Sequence, residues 1–145
     1  DITILGIESS CDETSISIVK NGYEEIAKRK AAVERYRERL SNVDGIKLCK
    51  EQADVTSNYA YFPVIFDGFK YTRDELFARL SENGVIARKY FYPLTNDFEC
   101  YKTLPTADSK KTPIAARLAD NVLCLPLYAD LTTKEVDMIC DIILK

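Results

Sequence analysis

The chain has 145 residues, and its 20 Lys or Arg against 23 Asp or Glu give a formal charge of −3. This length is typical of one domain. A composition of 46% apolar and 30% charged residues excludes collagen-like, disordered and membrane-spanning chains. There is no histidine, which excludes Ser-His-Asp and Cys-His catalysis and His-ligated zinc. The slightly acidic balance argues against nucleic acid as a partner.

Cysteine usage and the absence of a leader predict a cytoplasmic protein. The five cysteines are widely spaced and none forms a C-x-x-C pair, which is typical of reduced thiols. Cys124 and Cys140 lie among apolar residues, so we expect both to pack as small hydrophobic side chains. No signal peptide begins the chain and no apolar stretch approaches the ~20 residues of a membrane span, so we expect no membrane partner.

The first 22 residues predict a β-hairpin. Residues 2–7 form an apolar, β-branched run, and residues 15–19 alternate polar and apolar side chains. Residues 8–14 between them are polar and turn-prone, and Asn21-Gly22 closes the unit. Two such runs around a polar turn are typical of paired antiparallel strands.

Residues 23–40 predict a helix. They contain no Gly or Pro, and Ile26, Val33, Tyr36 and Leu40 recur at helical spacing. The basic residues of this helix could form a nucleic-acid face. Acidic residues interleave with them, which favours an ordinary solvated helix surface.

The middle of the chain predicts strands around a second helix. Residues 58–66 read as a strand, in which Pro63 indicates an edge position or a break. Thr72 to Glu75 form a capping box that begins a helix, and Asn83-Gly84 end it. Residues 85–92 predict another strand, and residues 95–111 a loop.

The last third predicts helix, strand, helix. Pro113 begins a helix through about residue 121, and residues 122–127 form a short buried strand. Thr132 opens a second capping box, and a final helix turns Val136, Ile139, Cys140 and Ile143 inward. The predicted class is α/β, more narrowly α+β: a single small layered domain with helices on a short mixed sheet, plus the N-terminal hairpin.

The opening segment resembles a known family. The run from Ile4 to Ser15, which contains Gly-Ile-Glu-Ser-Ser-Cys-Asp-Glu-Thr-Ser, is similar to the N-terminus of the TsaD (Gcp) family. That resemblance implies a hairpin from an actin-like ATPase that transfers a threonylcarbamoyl group to tRNA adenosine. The implied phosphate-loop remnants are Ser9, Ser10, Asp12 and Thr14. The family's metal site needs a His pair, so we expect no metal here.

A second resemblance covers residues 23–145. It rests on segments that follow one another in the expected order: residues 24–30, 34–40, 59–64, 73–76, 84–94, 116–128 and 131–137. Together they resemble the C-terminal small domain of the DegT/DnrJ/StrS-type sugar aminotransferases. The chain is then a fusion of a TsaD-like segment, residues 1–22, with an aminotransferase-type small domain, residues 23–145.

The second resemblance implies chemistry that this chain only partly carries. The family uses pyridoxal phosphate (PLP) to move an amino group onto a keto group of a nucleotide-linked sugar. Nothing in the chain matches the family's Schiff-base lysine motif, so we expect no catalytic residue, no bound PLP and no activity of this chain alone. The implied substrate-lining candidates are Arg88, Lys89, Tyr90 and Tyr92. Alternatively, these aromatic residues belong to the core and the cations to the rim.

Three functions follow as hypotheses. The first is a small domain of a nucleotide-sugar aminotransferase that is inactive without its PLP-lysine domain. The second is an interaction or oligomerisation module, which includes a homo-oligomer, because removal of a large domain exposes apolar surface. The third is a nucleotide-binding remnant that acts through residues 8–14.

Overall fold

A computed structural model describes residues 3–9, 14–20 and 22–145. The elements in chain order are β1 Thr3–Ser9, β2 Thr14–Lys20, α1 Gly22–Leu40, β3 Ile46–Leu48, β4 Phe62–Phe66, α2 Arg73–Glu82, β5 Arg88–Lys89, α3 Pro113–Asn121, β6 Val122–Leu125 and α4 Thr133–Leu144. Three short 3-10 turns lie between residues 95 and 111. No helix among these residues is long and apolar enough to cross a membrane.

The N-terminal hairpin is confirmed. Strand β1 pairs antiparallel with β2, from Thr3 opposite Lys20 to Ser9 opposite Thr14. Residues 10–13 of the predicted turn lie outside the described residues. The first helix begins at Gly22, one residue earlier than predicted.

The main sheet has the order β3-β4-β6-β5, and each neighbouring pair is antiparallel. The α+β class is confirmed, but the sheet is not mixed. Strands β4 and β5 run in the same direction, as a connection through a helix allows. Strand β6 inserts between them and runs opposite to both, so no parallel pair forms.

One face of the sheet carries the core. Along β4, alternate residues are buried and half-buried, and the buried set packs against helices α1, α2 and α4. The inward positions predicted on the last helix are confirmed, since Val136, Ile139, Cys140 and Ile143 are all buried. The alternate buried residues of the strands therefore pack against the apolar faces of the helices in one core layer.

Tyr36 joins α1 to the two central strands. Its side chain is fully buried, and its ring stacks on Phe62 with 4.9 Å between centroids and 15° between planes. Its hydroxyl donates to the carbonyl oxygen of Pro126 at 3.1 Å. Burial raises the pKa of Tyr36 far above its ordinary value, so the phenol stays protonated and the hydrogen bond persists.

The structure differs from two of the strand predictions. The strand predicted over residues 85–92 shortens to Arg88–Lys89, because Val85 and Ala87 pack into the core and Phe91, with φ of 45°, turns the chain away. Strand β4 is interior rather than an edge. Strand β3 ends opposite Val64, so Pro63 has a strand neighbour on one side only, where a missing N–H is tolerated.

Both predicted capping boxes are confirmed. The Thr72 hydroxyl accepts from the Glu75 N–H at 3.2 Å, and the Glu75 carboxylate accepts from the Thr72 N–H at 2.7 Å. Thr132 and Glu135 repeat the arrangement at 3.3 and 2.8 Å. Helix α2 ends at the cap Asn83, followed by Gly84 with φ of +74°, a backbone conformation that favours glycine.

Part of the basic face of α1 packs against α4 and is not simply solvated. The Arg35 Nε lies 2.8 Å from an Asp137 carboxylate oxygen, and the Arg39 Nη1 lies 2.7 Å from the same oxygen. The Arg39 Nη2 lies 2.6 Å from Asp141. These pairs link α1 to α4, and they hold the pKa of Asp137 and Asp141 below the ordinary 3.8.

Removal of a capping hydroxyl should destabilise the fold. We expect Thr72→Ala or Thr132→Ala to lower the free energy of unfolding by about 1 kcal/mol each, because one helix-end N–H loses its acceptor. Urea denaturation measures this. Thr133→Ala, one residue inside α4, is the control and should change stability by less than about 0.5 kcal/mol. Equal losses in Thr132→Ala and Thr133→Ala would contradict the capping role.

The α1–α4 ion pairs should make stability fall in acid. A folded-state pKa below the unfolded value means that the stabilisation is present above the ordinary carboxyl pKa. It is lost as the pH falls through about 4 towards the lower folded value. Urea midpoints measured against pH should drop over this window, and Asp137→Asn should flatten the drop. Asp130→Asn, at a largely exposed carboxylate on the Lys28 pair, is the control. An unchanged slope in Asp137→Asn would disprove the assignment.

Candidate functional site

Strand β5 divides the predicted substrate-lining residues between two faces. Successive strand residues point to opposite sides of a sheet. Lys89 is opposite Leu123, whose side chain is fully buried on the helix-covered face. Arg88 is opposite Cys124 and lies on the other face. The four candidates therefore do not form one cluster, although β5 is the edge strand and both faces meet there.

On the helix-covered side, Lys89 and Tyr92 come together at the start of α2. The Lys89 Nζ lies 2.7 Å from the Asp74 Oδ1 and 5.0 Å from the centre of the Phe77 ring. It also lies 5.4 Å from the centre of the Tyr92 ring. The hydrogen bond from Lys89 is the main reason that the pKa of Asp74 is lowered, with Arg73 adding to the effect.

Arg73 completes this group, although the sequence analysis did not name it as a site residue. Arg73 is 3% exposed, and it is the buried charged side chain among the described residues. Its Cζ lies 4.5 Å from the centre of the Tyr92 ring, and its Nη1 donates to the carbonyl oxygen of Ala119 at 2.7 Å. Arg73 is the first residue of α2, where exposure is the rule, so only the tertiary structure reveals its burial.

On the opposite side, Tyr90 lies among other aromatic rings. Its ring centroid is 5.5 Å from that of Tyr61 and 4.2 Å from that of Phe91. Arg88 is exposed and borders a groove of about 730 Å³. Tyr61 and Cys124 line this groove, and it extends to Met138 and Ile139 of α4. Cys124 is buried, which confirms the prediction that it packs as a small hydrophobic side chain. Burial also raises the pKa of its thiol to about 11.

The predicted phosphate-loop residues fall at the tip of the hairpin. Ser9 and Thr14 are paired at the ends of β1 and β2. Ser10 and Asp12 lie outside the described residues. Their role as phosphate contacts stays a prediction.

The described residues do not fit PLP. A PLP site needs a lysine for the Schiff base, a carboxylate against the pyridinium nitrogen and donors for the phosphate. Lys89 is the best-placed lysine, but its amino group is held between Asp74 and two aromatic rings. In the part of the chain that the structure describes, no group of three or more Cys, Asp or Glu side chains could hold a metal ion.

Comparison with protein families gives the decisive observation. The model of the DegT/DnrJ/EryC1/StrS aminotransferase family matches residues 17–144. The chain belongs to this family. The match begins six residues before the predicted boundary at residue 23, inside the segment assigned to the TsaD-like hairpin. The TsaD resemblance and that boundary stay predictions.

The individual relatives that match the chain are aminotransferases and transaminases. The chain is 40% identical over 120 residues to the dTDP-4-amino-4,6-dideoxy-D-glucose transaminase of Escherichia coli. The matched region covers 82% of this chain and 32% of that protein. The aminotransferase TlmJ from Streptoalloteichus hindustanus has 30% identity and a TM-score of 0.70 over 83% of this chain and 31% of that one. DesI, solved with its TDP-sugar product, has 27% identity and a TM-score of 0.74 over the same shares.

The chain thus spans about a third of the length of these relatives. It shares its family with these relatives, and that family depends on PLP. The solved relatives share the fold over 83% of this chain.

The mismatch with PLP predicts the outcome of a trapping experiment. After incubation with PLP and reduction by borohydride, we expect no stoichiometric lysine adduct, because no described lysine has the surroundings that favour one. Intact mass and peptide mapping measure the labelling. Lys89→Met is the matched control and should show the same low, scattered labelling. A stoichiometric adduct on one lysine would contradict the prediction.

Proposed function

We propose that the chain is the small domain of a nucleotide-sugar aminotransferase and forms one wall of its substrate cleft. The observation that carries the proposal is the edge strand β5. It presents Arg88 and Lys89 on its two faces and leads into a turn with Tyr90 and Tyr92. In this proposal the large domain supplies the PLP lysine, and this chain alone has no transaminase activity.

Arg88 is the residue best suited to contact a diphosphate. Its side chain is exposed beside the groove that Tyr61 lines. A guanidinium binds phosphate oxygens through two parallel N–H donors. Lys89 is already paired with Asp74, so it contributes positive charge to the edge rather than a free donor.

The aromatic residues suit the rest of a nucleotide sugar. The Tyr90 ring contacts that of Tyr61, which lines the same groove as Arg88. Tyr92 is half-exposed at the end of the turn. Tyrosine offers apolar surface to a base or sugar ring and a hydroxyl for hydrogen bonds. The names of the relatives, a transaminase of a dTDP-linked amino sugar and a structure with a TDP-sugar product, suggest thymidine diphosphate sugars as the substrate class.

Oligomer formation and a cytoplasmic location belong to the same proposal. Ile86, Phe91 and Ile114 are each more than 70% exposed, and exposed apolar side chains of this size favour a protein interface. The described cysteines, Cys49, Cys100, Cys124 and Cys140, are free, as in reducing compartments. Nothing in the relatives supports a nucleotide-binding remnant in residues 8–14.

Titration of the chain with a dTDP-linked sugar tests the proposal. We expect amide resonances of residues 88–92 to shift in NMR spectra, with weak affinity because only one wall of the cleft is present. Arg88→Met should weaken binding about tenfold, since a charge-assisted contact to phosphate is lost.

Arg117→Met is the matched control. Arg117 is also an exposed arginine, but it pairs with Asp67, which also pairs with Lys47 in the opposite edge strand β3. Its replacement should leave the affinity unchanged. Shifts spread evenly over the chain, or equal losses in both variants, would refute a specific site at β5.

A further inference from the structure

The buried guanidinium of Arg73 needs an explanation beyond packing. Burial of a charge costs free energy unless the group is paired and hydrogen-bonded. Arg73 has both kinds of partner: its Nε lies 2.6 Å from the Asp74 Oδ1, and its Nη1 donates to the Ala119 carbonyl. Its flat face is used as well, because it covers the Tyr92 ring.

These three contacts tie together three separate parts of the chain. Asp74 lies in the first turn of α2, Ala119 lies near the end of α3, and Tyr92 lies in the turn after β5. Strand β5 has only two residues, so ladder hydrogen bonds alone hold the following turn weakly. The guanidinium therefore fixes the position of that turn through its contact with the Tyr92 ring.

Tyr92 is accessible to a ligand. It is 47% exposed, and it follows Phe91, whose φ is 45°. Its hydroxyl makes no hydrogen bond to any other residue that the structure describes. With Arg73 over one ring face, the parts of Tyr92 left for a ligand are the hydroxyl and the exposed edge.

We propose that Arg73 is a positioning residue that holds the Tyr92 ring by a cation–π stack, so that Tyr92 offers its hydroxyl to a nucleotide-linked sugar rather than stacking on the base. The inference rests on the proposed function, since it needs a sugar nucleotide at β5. It adds a residue in α2 to the determinants of substrate binding.

A second arginine on the same helix provides a matched control. Arg79 Cζ lies 4.4 Å from the centre of the Tyr71 ring, and its Nη2 donates to the Ile142 carbonyl at 3.3 Å. It thus has the same kind of stack and the same kind of carbonyl partner, but away from β5. Arg→Lys at either position keeps the charge and loses the planar stack.

The experiment follows tyrosine ring resonances in the full chain labelled with ¹³C-tyrosine. In Arg73→Lys we expect the Tyr92 signals to shift while those of Tyr71 stay, and in Arg79→Lys the reverse. Affinity for a dTDP-linked sugar should fall about threefold to tenfold in Arg73→Lys only, the range expected for a cation–π contact. In a Tyr92→Phe background, Arg73→Lys should cause no further loss of affinity.

The outcomes separate the two proposals. Absence of dTDP-sugar binding by the wild-type chain overturns the proposed function and this inference together. Wild-type binding that Arg73→Lys leaves unchanged, or an additive loss in the Tyr92→Phe background, overturns only the role of Arg73. If Arg73→Lys fails to fold, Asp74→Asn replaces it, because the Asp74 side chain is 61% exposed. Unmoved Tyr92 signals in that variant also overturn the inference.

Discussion

The fold depends on the partners that the ring and the hydroxyl of Tyr36 find in the core. Its ring needs a flat partner and its hydroxyl needs an acceptor, because an unpaired polar group at full burial is costly. Phe62 in β4 provides the first and the carbonyl of Pro126, just after β6, provides the second. One side chain of α1 therefore contacts both central strands, which also pair with each other directly.

The register of β6 on β4 determines which face of the sheet each residue of the edge strand β5 occupies. Strand β6 lies next to β4 with Leu123 opposite Val64, and the same Leu123 faces Lys89. A shift of one residue would exchange the faces of Arg88 and Lys89. Because β5 is so short, contacts from Arg73 and Asp74 in α2 supplement its ladder. The candidate site is thus built from the edge strand and the beginning of one helix.

This arrangement suits a domain that completes a cleft instead of enclosing one. The described residues offer cations and aromatic rings at an exposed edge, without the surroundings that PLP chemistry needs. The match covers about a third of each relative, as the proposed role of a small domain requires. The ion pairs of Arg35 and Arg39 with α4 stabilise the packing of the first helix on the last.

The sequence by itself determined the local structure. The capping boxes at Thr72 and Thr132, the helix start at Pro113 and the inward stripe of α4 depend on residues a few positions apart, so their patterns are visible in the chain. The tertiary structure alone decided that β6 lies between β4 and β5, that Arg88 and Lys89 point to different faces, and that Arg73 is buried. Each of these depends on partners that are distant in sequence, such as Ala119 for Arg73, and no local pattern encodes which distant partner a strand or a guanidinium will meet.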